Sequence, residues 1–523
     1  MAEAQLLPGQ SGLPVPNPTE SHWHKDPSEK LFGHRTTADL PHSADVVIIG
    51  SGITGAIAAH TLKQRRPELE VVMLEAREAC WGATGRNGGH CQPAMYAAKP
   101  HIASFELRTY SYLKSLVEEY SIPCDWHSTS GVHAYYSASL FKLAQDVINN
   151  LGDKYPDLAA NVAVVTKGEK GAPSYLLEGE RKELTLEGLR VPNAEGAVVQ
   201  WNAASLWPYK LVAFVLERLL AAGGFNLQTN TPATGLQKID PPSNLTSPAS
   251  PAGGGEGEKK ATEHPTWIVH SPRGHITTRA VLLATNAYTS HLLPQFSDLI
   301  VPTRGQVAAL KPPQEPAPGE PPLDIGHTFY LMGDPKSGDV HREDYLVQRP
   351  PPAAELVLGG GRQLARDYAV GVWDDSTVDE PVRWWLRGEI TKAMDLSLRD
   401  APQSPVKHDH APSPATQDLE PTHEWTGIMG YSRDAHPWVG PVPASLGGGD
   451  GLWISAGYTG HGMPNAALCG KAAADLMTGA EEVDLPEEYE VSEERVGRAR
   501  ARDTVREAEE KGALVFDLSA AMV

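Results

Sequence analysis

Residues 44–93 read ADVVIIGSGITGAIAAHTLKQRRPELEVVMLEAREACWGATGRNGGHCQP, and the order of apolar run, glycine turn and helix within them decides the fold. Val46 to Ile49 is a β-branched run of the length of a buried parallel strand, and it leads into Gly50, Gly52 and Gly55 in GxGxxG spacing. The spacing predicts a strand, a tight turn and a helix start. Turn glycines let the backbone approach a pyrophosphate, whose charge lies against the N–H groups and positive dipole end of the helix. Ser51 and Thr54 belong to the same predicted cradle. A second apolar strand, Val71 to Leu74, ends at Glu75, about 20 residues past the last glycine, where a carboxylate accepts hydrogen bonds from ribose hydroxyls. A bound adenosine diphosphate moiety is expected. Glu75 would repel a ribose 2′-phosphate, so NADP is disfavoured.

The next stretch of chain separates NAD from FAD. Ala76 and Arg77 extend the turn at Glu75, and Gly82 to His90, GATGRNGGH, form a second glycine-rich loop directly after the βαβ unit. A nicotinamide cofactor needs no second main-chain clamp here, whereas a flavin extended across the sheet must be held along its pyrophosphate, ribityl chain and ring. Ala83, Thr84, Gly85, Arg86, Asn87, Gly88 and Gly89 are the candidates for that clamp. On composition alone the loop could also be an ordinary surface loop.

With these features in place, the sequence resembles the D-amino-acid-oxidase-like (DAO) family of FAD-dependent oxidoreductases, which includes glycine, sarcosine and γ-glutamylputrescine oxidases. Three further segments carry the resemblance. Thr231 to Thr234, TPAT, is similar to the family's adenine-contacting segment, which implicates Ala233. Ala280 to Gln306 resembles the second flavin strand with its ATN turn at Ala284, Thr285 and Asn286. Trp453 to Met463, WISAGYTGHGM, followed by a helix from about Asn465 to Met477, resembles the closing flavin-ring motif, with Gly457, Gly460, Gly462 and Met463. The resemblance implies FAD and an α/β fold, in which a Rossmann-like FAD-binding domain is interleaved with an antiparallel-sheet substrate domain, a glutathione-reductase-like FAD fold. It also implies removal of a hydride from a carbon beside nitrogen.

The chain divides, on this reading, into an N-terminal extension at 1–43 and a discontinuous FAD-binding domain at 44–125, 196–306 and 425–480. A substrate domain with Pro-rich inserts occupies 126–195 and 307–424, and 481–523 is a charged tail expected as a solvated helix. Residues 241–265 form a low-complexity segment expected to be mobile. His408-Asp409-His410 lies in a Pro-rich insert and reads as a solvated loop; no metal site is expected.

Reduction of a flavin places negative charge on one edge of the ring, so the protein needs N–H donors there. Gly460 to Met463 would supply them if the resemblance holds, and His461 either faces the ring or packs into the core. Where glycine-oxidase-like relatives carry a carboxylate-binding arginine this chain has Met429, and where sarcosine-oxidase-like relatives carry a lysine it has Pro464. Arg433 is the candidate substitute anchor, with a structural pair to the adjacent Asp434 as the alternative. A relative's flavin-linking cysteine corresponds to Gly427, so FAD is expected to be non-covalent, with His90 and Cys91 as the alternative attachment points. A small-molecule amine substrate is expected, with O2 or another electron acceptor reoxidising the flavin. An amino-acid oxidase or dehydrogenase and a non-catalytic flavin-binding protein are the alternatives.

Composition excludes other classes. The 523 residues are 41% hydrophobic, enough for substantial cores, and no apolar run is long enough for a transmembrane helix. Sixty-five Asp and Glu against 45 Lys and Arg give a formal charge of −20, which argues against nucleic acid as a partner. Four cysteines suit neither a disulfide framework nor a zinc site. With no visible secretory signal or peroxisomal address, a cytoplasmic location is expected.

Overall fold

The β-branched run becomes the central strand of a parallel sheet. Ser43–Ile49 lies between Val71–Leu74 and Gly274–Leu283, with Ile49 opposite both Leu74 and Leu283. Phe225–Gln228 extends the sheet on one side and Leu452–Ala456 on the other, also in parallel. Three antiparallel strands, Gly235–Lys238, Trp267–Ser271 and Trp438–Pro441, bring the sheet to eight. Successive side chains of a strand point to opposite faces, and here both faces are covered. Ile48 and Met73 share one core with Ile57, Leu216 and Leu468, while Val47, Ile49 and Leu74 share another with Phe296 and Trp438. The structure is a computed structural model and describes residues 5–168, 173–176, 180–239, 267–316, 318, 321–333, 342–398 and 418–512.

A second sheet of nine strands stands against the first. Its order runs Pro421–Ser432, Ile300–Leu310, Leu356–Gly359, Glu343–Gln348, Thr328–Met332, His127–Tyr135, Gly196–Ser205, His90–Cys91, with Val162–Thr166 also on Gly196–Ser205. All pairs are antiparallel except Thr328–Met332 beside His127–Tyr135. The expected domain boundaries need correction here. They put Gly196–Ser205, His90–Cys91 and Ile300–Leu310 wholly or partly in the FAD-binding domain and cut Pro421–Ser432 at 425, yet all four strands pair within the second sheet. A fully buried strand carries no sequence mark of which sheet it joins, because its partners lie far away in the chain.

The described parts of the extension and of the tail are packed. Trp23 is fully buried, donates from its indole nitrogen to the Asn87 carbonyl at 2.6 Å, and accepts from Trp207 on its own carbonyl. The tail is not the solvated helix expected. It forms two short helices, Glu493–Arg500 and Val505–Glu510, with Arg495, Val496, Ala499, Val505, Ala508 and Glu509 buried. Arg495 grips Asp434 at 2.8 and 3.0 Å and lies 3.8 Å over the Trp438 ring. Segment 241–265, the His408-Asp409-His410 triplet and residues 513–523 lie outside the described residues. Among the described residues, no helix is long and apolar enough to cross a membrane.

Candidate active site

Three parallel strands end at one edge, and a cavity opens there. Gly50 follows Ile49, Glu75 follows Leu74 and Ala284 follows Leu283, and all three line it. Gly50 has φ +109°, and a Cβ there would stand 2.4 Å from the Ala284 carbonyl oxygen, so only glycine makes this turn. Gly55 is needed for a different reason. Its Cβ would lie 2.0 Å from the Gly50 carbonyl oxygen, so its absence lets helix Ile53–Arg65 press against the turn. Gly52 is different again: it lines the cavity, and a Cβ there would press on Thr84 Oγ1 at 3.1 Å, so a side chain would disturb the second glycine loop.

The Glu75 carboxylate accepts from the Ser51 amide at 3.0 Å, the Ser51 hydroxyl at 2.6 Å and the Arg77 amide at 3.0 Å. These bonds fix its position at the strand end. The second glycine loop crosses alongside, with Thr84 Oγ1 accepting from the Ile53 amide and Asn87 donating to the Thr84 carbonyl. Arg86 is buried under the loop, donating to the Thr426 carbonyl and pairing with Asp375 at 3.3 Å. Its second terminal nitrogen, Nη1, is buried and makes no hydrogen bond among the described residues. Burial lowers the pKa of this guanidinium to about 10.

The closing segment completes the wall. Asn286 Oδ1 accepts from the Gly457 amide at 3.0 Å, tying the ATN turn to the segment after Leu452–Ala456. Tyr458 hydroxyl bonds Thr54 and Ser455, which couples that segment to the first glycine helix. The helices Ile53–Arg65 and Ala466–Met477 approach so closely that a Cβ at Gly470 would meet the Thr54 carbonyl oxygen at 2.4 Å. His461 lines the cavity, and its Nε2 lies 2.9 Å from Glu106. Glu106 is itself buried and also accepts from Asn465 at 2.9 Å and the Ala94 amide at 2.7 Å. Burial opposes a charge on His461, but the Glu106 carboxylate overcomes it and raises the imidazole pKa. His90 behaves oppositely. Burial lowers its pKa to about 3, leaving a neutral ring that bonds Tyr330 hydroxyl at 2.8 Å.

Beyond the closing segment, the wall consists of Tyr330, Glu343, Tyr345, Arg362, Met429 and Tyr431. Glu509, from the last helix, holds Arg362 at 2.9 and 3.4 Å, and the guanidinium lies 5.0 Å over the Tyr431 ring. Glu343 stands 3.9 Å from Arg362, and burial, despite that cation, raises its pKa to about 7.

Most of the residues anticipated from sequence meet at this cavity. Gly50, Ser51, Gly52, Thr54, Glu75, Ala76, Arg77, Ala83, Thr84, Arg86, Asn87, Gly88, Ala233, Ala284, Thr285, Asn286, Gly460, His461, Gly462 and Met463 all line it. Gly55, Gly85, Gly89 and Gly457 do not. Gly85 packs against Cys80 and His24, Gly89 against Trp23, and Gly457 against Ile300 and Trp438. Arg433 is the clearest correction. It lies away from the cavity, donating to the Arg500 and Arg502 carbonyls and standing 3.4 Å from Asp298, while Asp434 belongs to Arg495. Sequence reading misses Glu343, Arg362, Leu13 and Pro14, which line the cavity, and Glu106, which reaches it through His461. Only Arg362 carries a signal: it directly follows the Gly359 to Gly361 run.

The residues fit FAD on two observations. Gly52, Gly460 and Gly462 bring bare backbone to the cavity wall, and the buried Arg86 Nη1 lacks an acceptor among the described residues. Gly52→Val should therefore fold with unchanged circular dichroism but purify with little or no flavin. A yellow Gly52→Val protein at full occupancy would refute this placement. The Glu106–His461 pair gives a pH-dependent expectation. Because the folded-state imidazole pKa is raised, the pair's stabilisation is complete below about pH 6.5 and fades as pH rises through the folded-state value. Glu106→Gln should thus cost about 1.5–3 kcal/mol near pH 6 and less at pH 9. Denaturant unfolding of the holoprotein at both pH values checks it, and an equal loss at each would show that the imidazolium plays no part.

The comparisons with known proteins agree with this geometry. A family model described as FAD dependent oxidoreductase, DAO, matches residues 45–476. A probable oxidoreductase, OrdL, from Rhizobium meliloti is 24% identical over 463 residues, covering 86% of each chain. The gamma-glutamylputrescine oxidoreductase of Escherichia coli is 22% identical over 455 residues, covering 84% of each. Among solved structures, glycine oxidase from Geobacillus kaustophilus superposes with a TM-score of 0.60 at 17% identity, over 87% of this chain and 99% of that one. With the family model spanning both sheets and the cavity between them, the chain belongs to the DAO family of FAD-dependent oxidoreductases.

Proposed function

We propose that this protein oxidises the C–N bond of an amine or N-substituted compound to an imine, which water hydrolyses, with O2 as the final electron acceptor. When bound, FAD supplies the hydride acceptor. The protein residues position, desolvate and discriminate. The observation that carries the amine reading is the fate of the cations on the wall beyond the closing segment. Met429 and Pro464 line the cavity, Arg433 lies outside it, and Arg362 is held by Glu509. A substrate carboxylate at that wall would meet no uncommitted guanidinium among the described residues, the free Arg86 Nη1 lying with Arg77 and Asp375, and an unpaired buried charge is costly. The E. coli relative named for γ-glutamylputrescine supports the same reading.

Anaerobic mixing with glycine against methylamine, and sarcosine against dimethylamine, tests it through bleaching of the flavin absorbance. The amines should reduce the flavin faster. Losing a charge-assisted contact of about 3 kcal/mol corresponds to roughly 100-fold in kcat/KM. Faster reduction by the acids would make this an amino-acid oxidase.

We also propose that the FAD is held without a covalent bond. Gly427 lines the cavity where a linking cysteine would stand, and Cys91 is fully buried on its strand. Acid precipitation should release all the yellow colour into the supernatant. Colour retained on a peptide containing His90 would overturn this.

A further inference from the structure

The wall beyond the closing glycine turn carries charged groups that no step above uses. They form a connected series. A Cβ at Gly460 would lie 3.4 Å from Tyr431 hydroxyl, the Arg362 guanidinium lies 5.0 Å over the Tyr431 ring, and Glu343 is 3.9 Å from Arg362. On its other side Arg362 is held by both oxygens of Glu509, which is brought in by helix Val505–Glu510 and is itself buried.

The consequence is an imbalance of charge. Arg362 spends its hydrogen-bonding edge on Glu509, so its charge is cancelled there. Glu343 is left with one ion pair among the described residues, at a separation too long for a hydrogen bond. Asp344, next in sequence, gives no relief, because it faces Arg342 and Trp385. With Glu343 ionised, the group of Glu343, Arg362 and Glu509 is net negative by one, and burial resists that ionisation, raising the Glu343 pKa to about 7. A carboxylate on a buried wall with its nearest cation already committed is costly, and a cation from the ligand would relieve it.

The surroundings suit a cation for a second reason. Tyr330 and Tyr345 rings lie 6.2 Å apart, and the His90 ring lies 5.3 Å from each. His90 is neutral, so it adds no repulsion, and the tyrosine faces attract positive charge. An anion would be repelled by Glu343, and the nearby His461 imidazole is already paired with Glu106.

We propose that Glu343 is the specificity residue of this cavity, receiving a positively charged nitrogen of the substrate against the tyrosine wall, while Glu509 holds Arg362 so that it cannot receive a carboxylate. The inference rests on the amine reading and narrows it to amines that bear a second positive charge. The nitrogen undergoing oxidation must be neutral, and the one at Glu343 stays protonated and serves as the handle. The C-terminal helix thereby acts on selectivity from outside the sheets that build the site.

Binding of unreactive probes to the oxidised holoenzyme tests this without turnover. Benzyltrimethylammonium and benzoate share a ring and differ in the sign of their charge, and calorimetric titration gives a Kd for each. In the wild type the cation should bind at least about ten-fold more tightly than the anion, the scale of one hydrogen-bonded charge contact. Glu343→Gln should weaken the cation by about ten-fold or more and leave benzoate equal or tighter. Glu509→Gln should act in the opposite sense, strengthening benzoate by a similar factor as Arg362 is released. A loss of packing would weaken both probes together, whereas these changes have opposite signs. Should Glu509→Gln not retain flavin, wild type and the isosteric Glu343→Gln decide the matter by themselves.

Tighter binding of benzoate than of the cation by the wild type, or a cation Kd unmoved in Glu343→Gln, would overturn the proposal. Neither outcome depends on which compounds reduce the flavin. Reduction by amines with an unmoved cation Kd would leave the amine reading standing and remove Glu343 from it. Preferential reduction by amino acids, with the cation still displaced by Glu343→Gln, would do the reverse.

Discussion

The parallel register of three strands governs everything at the site. Because Ile49 is opposite both Leu74 and Leu283, the three chains leave the sheet at the same level, and their next residues, Gly50, Glu75 and Ala284, meet at one edge. A slip of one residue in either pairing would turn the buried side chains of that strand to the opposite face and disperse the three. The register is protected by burial on both faces, since Val47 and Ile48 serve different cores and neither can be exchanged for the other. The placement of the glycines is a result of this register. With Gly50 forced beneath the Ala284 carbonyl, the turn has one solution, and helix Ile53–Arg65 can begin only where Gly55 lets it touch that turn.

The electrostatics of the cavity depend on where the fold lets charge remain. At the nucleotide end, Arg77 and Arg86 converge on the fully buried Asp375, so two guanidiniums share one carboxylate and Arg86 Nη1 is left over. Glu75 beside them brings the local count to two guanidiniums and two carboxylates, so it is the free Arg86 Nη1 and not a net charge that suits this end to a pyrophosphate. Near the closing glycines, the Glu106 carboxylate raises the pKa of His461 against the opposing effect of burial. Farther along, Glu343 and Glu509 outnumber Arg362. Among the described residues, one cavity therefore holds an unpaired guanidinium nitrogen at one end and, at the other, a carboxylate whose nearest cation is too far for a hydrogen bond.

How far the sequence discloses this differs by residue. The glycine turns, Glu75 and the ATN and closing segments are legible because their function is local: each residue's conformation is dictated by neighbours a few positions away. The Rossmann-like sheet is legible for the same reason, with Val46 to Ile49 and Val71 to Leu74 bounded by the glycines and Glu75. The strand Gly196–Ser205 is not, since its place in the second sheet comes from pairing with His127–Tyr135, far away along the chain. Glu106 is invisible too, as an ordinary acidic residue of an amphipathic helix until the fold sets it 2.9 Å from His461.

The two arginines show the limit most clearly. Arg433 invites attention because it lies four residues beyond Met429, on the reasoning that a lost anchor is replaced nearby in sequence. Met429 itself reaches the cavity, but its strand ends at Ser432, and the next turn carries Arg433 away to the Arg500 and Arg502 carbonyls. Arg362 comes from a different strand connection altogether, and the sequence between it and Glu509 gives no hint that they pair. Their contact exists only because the tail, which reads as a solvated charged helix, turns its few apolar residues inward at Val505 and Ala508 and so delivers Glu509 to the wall. A mixed-charge segment is taken as solvated when its charges outnumber its apolar residues, yet one well-placed pair of small apolar contacts is enough to bury a carboxylate where a cation awaits it. The pairing of an arginine that lines the cavity therefore depends on a helix that the glycine motifs say nothing about.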